Sequence, residues 1–242
     1  MKNALIVIPA RFASTRFPGK PLVDLDGKSM LQHVWEKCIQ VENSDNVIVA
    51  TDNKKIENHC KKNGIQVMMT SNECKTGTDR LYQIALRRSA DIYINVQGDE
   101  PLILPDDIKL VMDAAYNDPN IVFNAMCDIT DKDEYYNPNV PKVVTRRDGR
   151  LLYISRAAIP ANKQLEFISA RKQVCIYAFP FDALCNYGEY QGKTQLEEIE
   201  DLEILRFLEL GYDVKMIEVS GSSVAVDTPD DLDRVKSILS DI

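Results

Sequence analysis

Short apolar runs alternate with amphipathic stretches through the first half of the chain. Residues 4–8, 46–50, 66–69, 92–96 and 121–126 are compact apolar runs of the kind that form buried strands. Between the first two, Met30, Leu31, Val34, Trp35, Cys38 and Ile39 recur at helical spacing. Ser29, with Gln32 three residues on, makes a capping box where that helix starts. Further helices are predicted over 54–63, 78–88 and 106–116. Strand–helix alternation of this kind implies an α/β fold: a mainly parallel sheet with helices on both faces.

The second half has a different rhythm. Residues 140–145 and 151–155 read as strands around the Asp148-Gly149 turn. A polar stretch at 161–172 reads as a loop, 174–179 as a strand, 196–210 as one long helix and 214–219 as a strand. A last helix follows Val226-Asp227-Thr228-Pro229, with Thr228 as N-cap, Pro229 at the first helical position and Asp231 three residues after the cap. No repeat or linker divides the chain. One domain over 1–242 with a smaller mixed-sheet subregion is expected, and the run 121–126 could serve as core or as an interface.

Composition narrows the function. The chain of 242 residues carries a formal charge of -8, which argues against a nucleic-acid groove, where spread Lys and Arg neutralise phosphates. None of the six cysteines sits at C-x-x-C spacing, and His33 and His59 are the only histidines, so a zinc site is not expected. Both histidines read as structural or surface residues. No apolar run approaches the ~18 residues needed to span a bilayer, and no basic leader precedes the first strand. A cytoplasmic protein with reduced thiols is the economical expectation.

Against that acidic background one loop stands out. After the first strand, Pro9-Ala10-Arg11-Phe12-Ala13-Ser14-Thr15-Arg16-Phe17-Pro18-Gly19-Lys20-Pro21 carries Arg11, Arg16 and Lys20 with no carboxylate until Asp24. Arg grips phosphate oxygens in pairs and Lys adds a compact charge. Open α/β sheets place ligands beyond the carboxyl ends of strands, so the loop is a triphosphate candidate. It is neither G-x-x-x-x-G-K-[ST] nor G-x-G-x-x-G. Gln97-Gly98-Asp99-Glu100-Pro101 ends a buried strand in two carboxylates, and Asp227 offers another acid. Mg²⁺ is usually held by one or two carboxylates plus substrate phosphates. Thr76-Gly77-Thr78-Asp79-Arg80 puts Thr78 at a helix start, where anions are favoured, although a plain cap would look the same.

Taken in order, IPARFASTRFPGKPL, VATDN, TGTDRL, NVQGDEPLI, YISRAAIP, LEILR and VDTPDDL resemble the 3-deoxy-manno-octulosonate (Kdo) cytidylyltransferases, or CMP-Kdo synthetases. The resemblance spans Ile8 to Leu232. It implies a mononucleotide-binding fold of the nucleotide-diphospho-sugar transferase type, with a nucleotide-binding part over about 1–125 and a sugar-binding and dimerising part over about 126–220. It further implies transfer of CMP from CTP to a 2-keto-3-deoxy sugar acid, Mg²⁺ as cofactor and a homodimer. Arg11, Arg16 and Lys20 would then hold the triphosphate. Pro9, Ala10, Thr78, Arg80 and Gln97 would frame the nucleotide, and Asp99 and Asp227 would hold the metal. With Lys20 these two acids make the catalytic set, and Asp99 is also in the set of general-base candidates. Ser155, Arg156, Gln173, Tyr177, Glu203 and Ile204, with Gln97, fall at sugar-pocket positions.

The chain departs from the family text at three places. H-x-S-G-T is Cys74-Lys75-Thr76-Gly77-Thr78, H-[IL]-G-[IV]-Y is Gln173-Val174-Cys175-Ile176-Tyr177, and L-E-Q-L-R is Leu202-Glu203-Ile204-Leu205-Arg206. Either Gln173 still serves the same sugar, or the substrate is a variant such as an 8-amino Kdo analogue. Glu198 and Asp201 near Glu203 would suit an ammonium group, but such helix residues also simply face water. A silent nucleotide-binding paralogue is the rival from another class. The sequence leaves open whether the product feeds lipopolysaccharide or capsule.

Overall fold

The computed structural model describes residues 3–13, 17–221, 223–226 and 228–240. In chain order the strands are β1 (Ala4–Pro9), β2 (Asp24–Leu25), β3 (Lys28–Ser29), β4 (Val47–Thr51), β5 (Val67–Met69), β6 (Ile92–Val96), β7 (Val122–Ile129), β8 (Lys142–Thr145), β9 (Leu151–Ser155), β10 (Ala170–Phe179) and β11 (Val214–Glu218). The helices are α1 (Met30–Cys38), α2 (Lys54–Lys62), α3 (Gly77–Ala85), α4 (Pro105–Asn117), α5 (Lys132–Tyr136), α6 (Phe181–Glu189), α7 (Gln195–Glu200), α8 (Ile204–Glu209) and α9 (Pro229–Ser240).

Alternation along β1 shows how the sheet is covered. Ala4, Ile6 and Ile8 face a layer containing Leu31, Val34, Ile56, Ile108 and Val111 from α1, α2 and α4. Leu5 and Val7 face Leu81, Ile84, Leu184, Leu205 and Phe207 from α3, α6 and α8. Period-2 strands thus bury both faces, as a sheet sandwiched between helices requires. The order β11-β7-β10-β6-β1-β4-β5 is parallel at every pair except the two made by β10, which lies antiparallel between β6 and β7. β8 pairs with the start of β10 and with β9, giving the mixed region expected of the second half. α9 packs Leu232 and Val235 with Val226 against Leu25, Met30 and Leu102, roofing the loop after β1.

Three expectations need correcting. The helix predicted over 196–210 is two, α7 and α8, broken at Asp201-Leu202-Glu203 with Asp201 in the left-handed region at φ 51°. The pieces stay joined because Arg206, 2% exposed, bonds both oxygens of Glu197 at 2.6 and 2.7 Å and lies 3.7 Å from the Tyr187 ring. β10 starts at Ala170, inside the expected loop; Arg171 and Lys172 disguise it because they pair outward with Asp128 and Glu134. α3 starts at Gly77, with Thr76 as its cap, so Thr78 lies one position inside it. The run at 121–126 is core: Val122, Phe123, Ala125 and Met126 are all buried. His33 and His59 are structural, bonding the Leu25 carbonyl and the Ser29 hydroxyl. Among the described residues no helix is long and apolar enough to cross a membrane.

Candidate active site

The cleft opens at the carboxyl ends of β1 and β6, which close packing brings together. A Cβ on Gly98 would stand 3.1 Å from the Pro9 carbonyl oxygen, so only glycine lets the two strand ends approach. Ala10 is fixed by its N–H to the Ala50 carbonyl, and Arg11 beyond it is exposed. The loop returns through Gly19 at φ 76°, whose N–H donates to the Phe12 carbonyl. This return carries Lys20 to Asp99, Nζ to Oδ2 at 2.8 Å. Val226 N–H donates to the Asp99 carbonyl, tethering the segment before α9 to the same strand end. Arg16 and Asp227 lie outside the described residues.

One wall is the amino end of α3. Thr76 and Asp79 cap it reciprocally, and the Thr76 hydroxyl reaches Tyr187 Oη at 2.9 Å. The break between α7 and α8 delivers Glu203 here. Its carboxylate accepts from Thr78 N–H at 3.0 Å and from Gln97 Nε2 at 3.3 Å. Burial raises the Glu203 carboxyl above its ordinary value, against the opposing pull of those bonds. Under this wall Asn95 is 0% exposed, and neither atom of its carboxamide has a protein partner among the described residues.

The opposite wall is β10. Tyr177 sits directly across from Asn95, and Gln97 N–H donates to the Cys175 carbonyl. Cys175 N–H donates to Glu100 Oε1 at 3.2 Å. Burial pushes the Glu100 carboxyl up, with Asp99 adding in the same sense, and pushes the Cys175 thiol and Tyr177 phenol well above their usual ranges. Gln173 donates from Nε2 to Asn124 Oδ1 at 2.7 Å.

Pro9, Ala10, Arg11, Lys20, Gln97, Asp99 and Glu203 therefore gather around one cleft, with Tyr177, 3% exposed, packed in the core behind it. Others are turned elsewhere. Arg80, 4% exposed, gives its guanidinium to Asp52 at 2.8 Å, Thr70 at 2.7 Å and the Ser71 carbonyl, so it braces α3 against the end of β4 rather than offering charge to a ligand. Ile204 is 0% exposed in the core beside Leu205 and Phe207; an apolar side chain at this helix start packs inward. Ser155 and Arg156 bind Glu200 and the end of α7, fixing where the break falls. Asp201 pairs with Lys193, Glu198 points to solvent, and Cys74 stands at the entry to α3. The sequence reading missed Asn95 and Asn124. Their signal was there: each is a lone carboxamide within an apolar, buried run of its strand.

The donor set suits a divalent ion shared with phosphate. Asp99 already holds one cation, the Lys20 ammonium, at the strand end. No group of three or more His, Cys, Asp or Glu forms a metal cage among the described residues, and Mg²⁺ bound together with a triphosphate needs none.

Comparison with known proteins agrees with this layout. The family described as Cytidylyltransferase matches residues 5–217. The 3-deoxy-manno-octulosonate cytidylyltransferase of Escherichia coli is 39% identical, covering 99% of this chain and 97% of that protein. The enzyme of the same name from Pelobacter propionicus is 42% identical over 97% of this chain and 96% of its own. A solved CMP:2-keto-3-deoxy-manno-octonic acid synthetase complexed with CTP superposes with a TM-score of 0.91 at 38% identity, covering 99% of each chain. A glucose-1-phosphate thymidylyltransferase from Bacillus anthracis, 16% identical with a TM-score of 0.72, shares the fold alone. Near-complete coverage in both directions at about 40% identity places this chain in the 3-deoxy-manno-octulosonate cytidylyltransferase family.

Proposed function

We propose that this protein transfers the CMP moiety of CTP to the anomeric hydroxyl of Kdo or a closely related 2-keto-3-deoxy sugar acid, releasing pyrophosphate. One observation carries the reading. The phosphate-loop lysine and strand-end carboxylate, Lys20 and Asp99, open onto the same cleft as the polar wall of Gln97, Thr78 and Glu203. In the transfer the sugar oxygen bonds the α-phosphorus, the α–β bridging bond breaks, and the hydroxyl proton leaves. Such a reaction needs in-line positioning and charge stabilisation more than covalent help. Arg11 and Lys20 supply positive charge where the leaving pyrophosphate gathers it, with Arg16 assigned to the same task by resemblance. Pro9 and Ala10 form a rigid backbone rim for the nucleotide, while Gln97, Gln173 and Glu203 face the sugar.

Asp99, with Asp227 by resemblance, would hold Mg²⁺, which when bound polarises the phosphate and lowers the pKa of the attacking hydroxyl. Cytoplasmic location and a homodimer assembled through the second half belong to the same reading; light scattering tests the dimer. The activity test is pyrophosphate release from CTP with a panel of 2-keto-3-deoxy sugar acids, with and without Mg²⁺. Release that depends on Mg²⁺ and vanishes in Asp99→Asn supports the assignment. CTP binding without release for every sugar acid rejects it in favour of a silent paralogue.

A further inference from the structure

One buried carboxamide, that of Asn124, fixes which atom of Gln173 the substrate meets. Asn124, fully buried on β7, donates from Nδ2 to the Val174 carbonyl at 3.0 Å and the Ile176 carbonyl at 2.9 Å. These acceptors lie in the irregular stretch of β10, where the register against β7 shifts between Val174 and Tyr177. A carbonyl oxygen only accepts, so the Asn124 amide has one workable orientation; the flipped form would set three oxygens against each other. Its Oδ1 is thereby aimed at Gln173, which must answer with a donor, and does so from Nε2 at 2.7 Å. The Gln173 amide is then fixed as well. Its Oε1 has no protein partner among the described residues, and the side chain is half-buried on β10, the strand that also carries Cys175 and Tyr177.

We propose that Asn124 is a positioning residue that locks Gln173 with its carbonyl oxygen toward the sugar, so the pocket selects a hydrogen-bond donor at that point. This rests on the cytidylyltransferase reading given above and deepens it. The preferred substrate carries an O–H or N–H group there, an amine satisfying the pocket as well as a hydroxyl, whereas an acceptor-only substituent of similar size does not. Further acceptors line the cleft: Glu203 on the facing wall, whose carboxylate already accepts from Thr78 and Gln97, and Glu100 beneath Cys175. The wall is thus rich in oxygens looking for protons. An unmet donor–acceptor pairing in a shielded pocket is what allows large discrimination between near-isosteric substrates.

The test uses the full-length enzyme with CTP and a series of sugar acids in which each hydroxyl is replaced in turn by fluorine, which keeps the size but removes the donor, or by an amine. The expected result is one position where fluorine lowers kcat/KM about tenfold or more while the amine is accepted. In Gln173→Met that preference disappears at that position alone, with the KM for CTP unchanged. Asn124→Ala, which frees Gln173 to turn over, narrows the same preference. Should Asn124→Ala fail to fold, Gln173→Met, which forgoes a single side-chain bond, decides the matter. Pyrophosphate release with equal use of hydroxyl and fluoro substrates everywhere overturns this inference and leaves the proposed function standing. A preference that persists in Gln173→Met also overturns it. No release with any sugar acid overturns both.

Discussion

Gly77 is the narrowest point of the cleft, and replacing it with alanine sets two effects in opposition. At the first turn of α3, alanine is the better helix former, by about 0.5–1 kcal/mol over glycine. The added methyl, however, would stand 2.8 Å from Gln97 Nε2, 3.1 Å from Pro9 Cγ and 3.5 Å from Asn95 Nδ2. Pro9 belongs to β1 and cannot swing away, and overpacking of this kind costs about 1–3 kcal/mol. Gln97 is the member able to move, and when it moves it gives up its bond to Glu203. The net effect on stability is therefore small, a loss of about 0–2 kcal/mol. The effect on the sugar side is larger, because displacing a positioning group by about 1 Å can cost about 100-fold in rate. Steady-state kinetics of Gly77→Ala should show kcat/KM for the sugar acid falling about 10- to 100-fold, alongside a denaturation midpoint close to wild type. Wild-type kinetics at every sugar concentration would refute the reasoning, since they would mean the contact relaxes without disturbing Gln97.

Other expectations follow from the same geometry. Lys20→Met should lower kcat about 100-fold or more, as loss of one transition-state donor typically does, read by steady-state pyrophosphate release. Arg206→Met strands the Glu197 carboxylate, which is 0% exposed, and should cost about 3–5 kcal/mol by urea denaturation, a far larger loss than any cleft variant. Glu203 has a folded-state value raised above the ordinary 4.5 chiefly by burial, so the stability it contributes is present below that value and is lost as pH rises through the folded value. Glu203→Gln should flatten that decline in a series of melting temperatures taken upward from pH 4; an unchanged slope would show that the carboxyl is not the cause.

Much of this was legible in the sequence because the relevant signals are local. The apolar runs of β1, β4 and β6, the Ser29 cap of α1 and the Thr228–Pro229 start of α9 each declare themselves within a few residues. The basic loop and the Asp99 strand end each stood out locally, and the family resemblance paired them. What stayed hidden depends on distant partners. Arg80 looked like a ligand contact from its position in a first helical turn, and only the fold brings Asp52 and Thr70 around it. The break at Asp201 was masked because residues 196–210 keep a helical apolar pattern across it, while the turn is imposed by the Arg206–Glu197 pair and by Arg156 holding Glu200. Ile204 invited a pocket role by its departure from the family text, but its neighbours are apolar core residues. Asn124 showed itself only as a lone carboxamide in an apolar run; its meaning appears only once β10 lies beside β7.

The antiparallel strand at the centre of the sheet has a consequence for how such an enzyme can change. β10 comes from the second half of the chain, yet it covers the edge of β6, the strand that leads to Asp99. A fragment ending near residue 125 would leave the Ile92–Val96 strand with an open row of backbone groups in an apolar setting, an invitation to aggregate rather than to bind CTP. The two halves of the chain are therefore not exchangeable modules. New acceptor specificity has to arise by point changes on a strand whose other face is core, where Val174, Ile176 and Ala178 tolerate little change in volume. Evolution and engineering alike are confined to the outward side chains of one strand and to the buried amides that aim them.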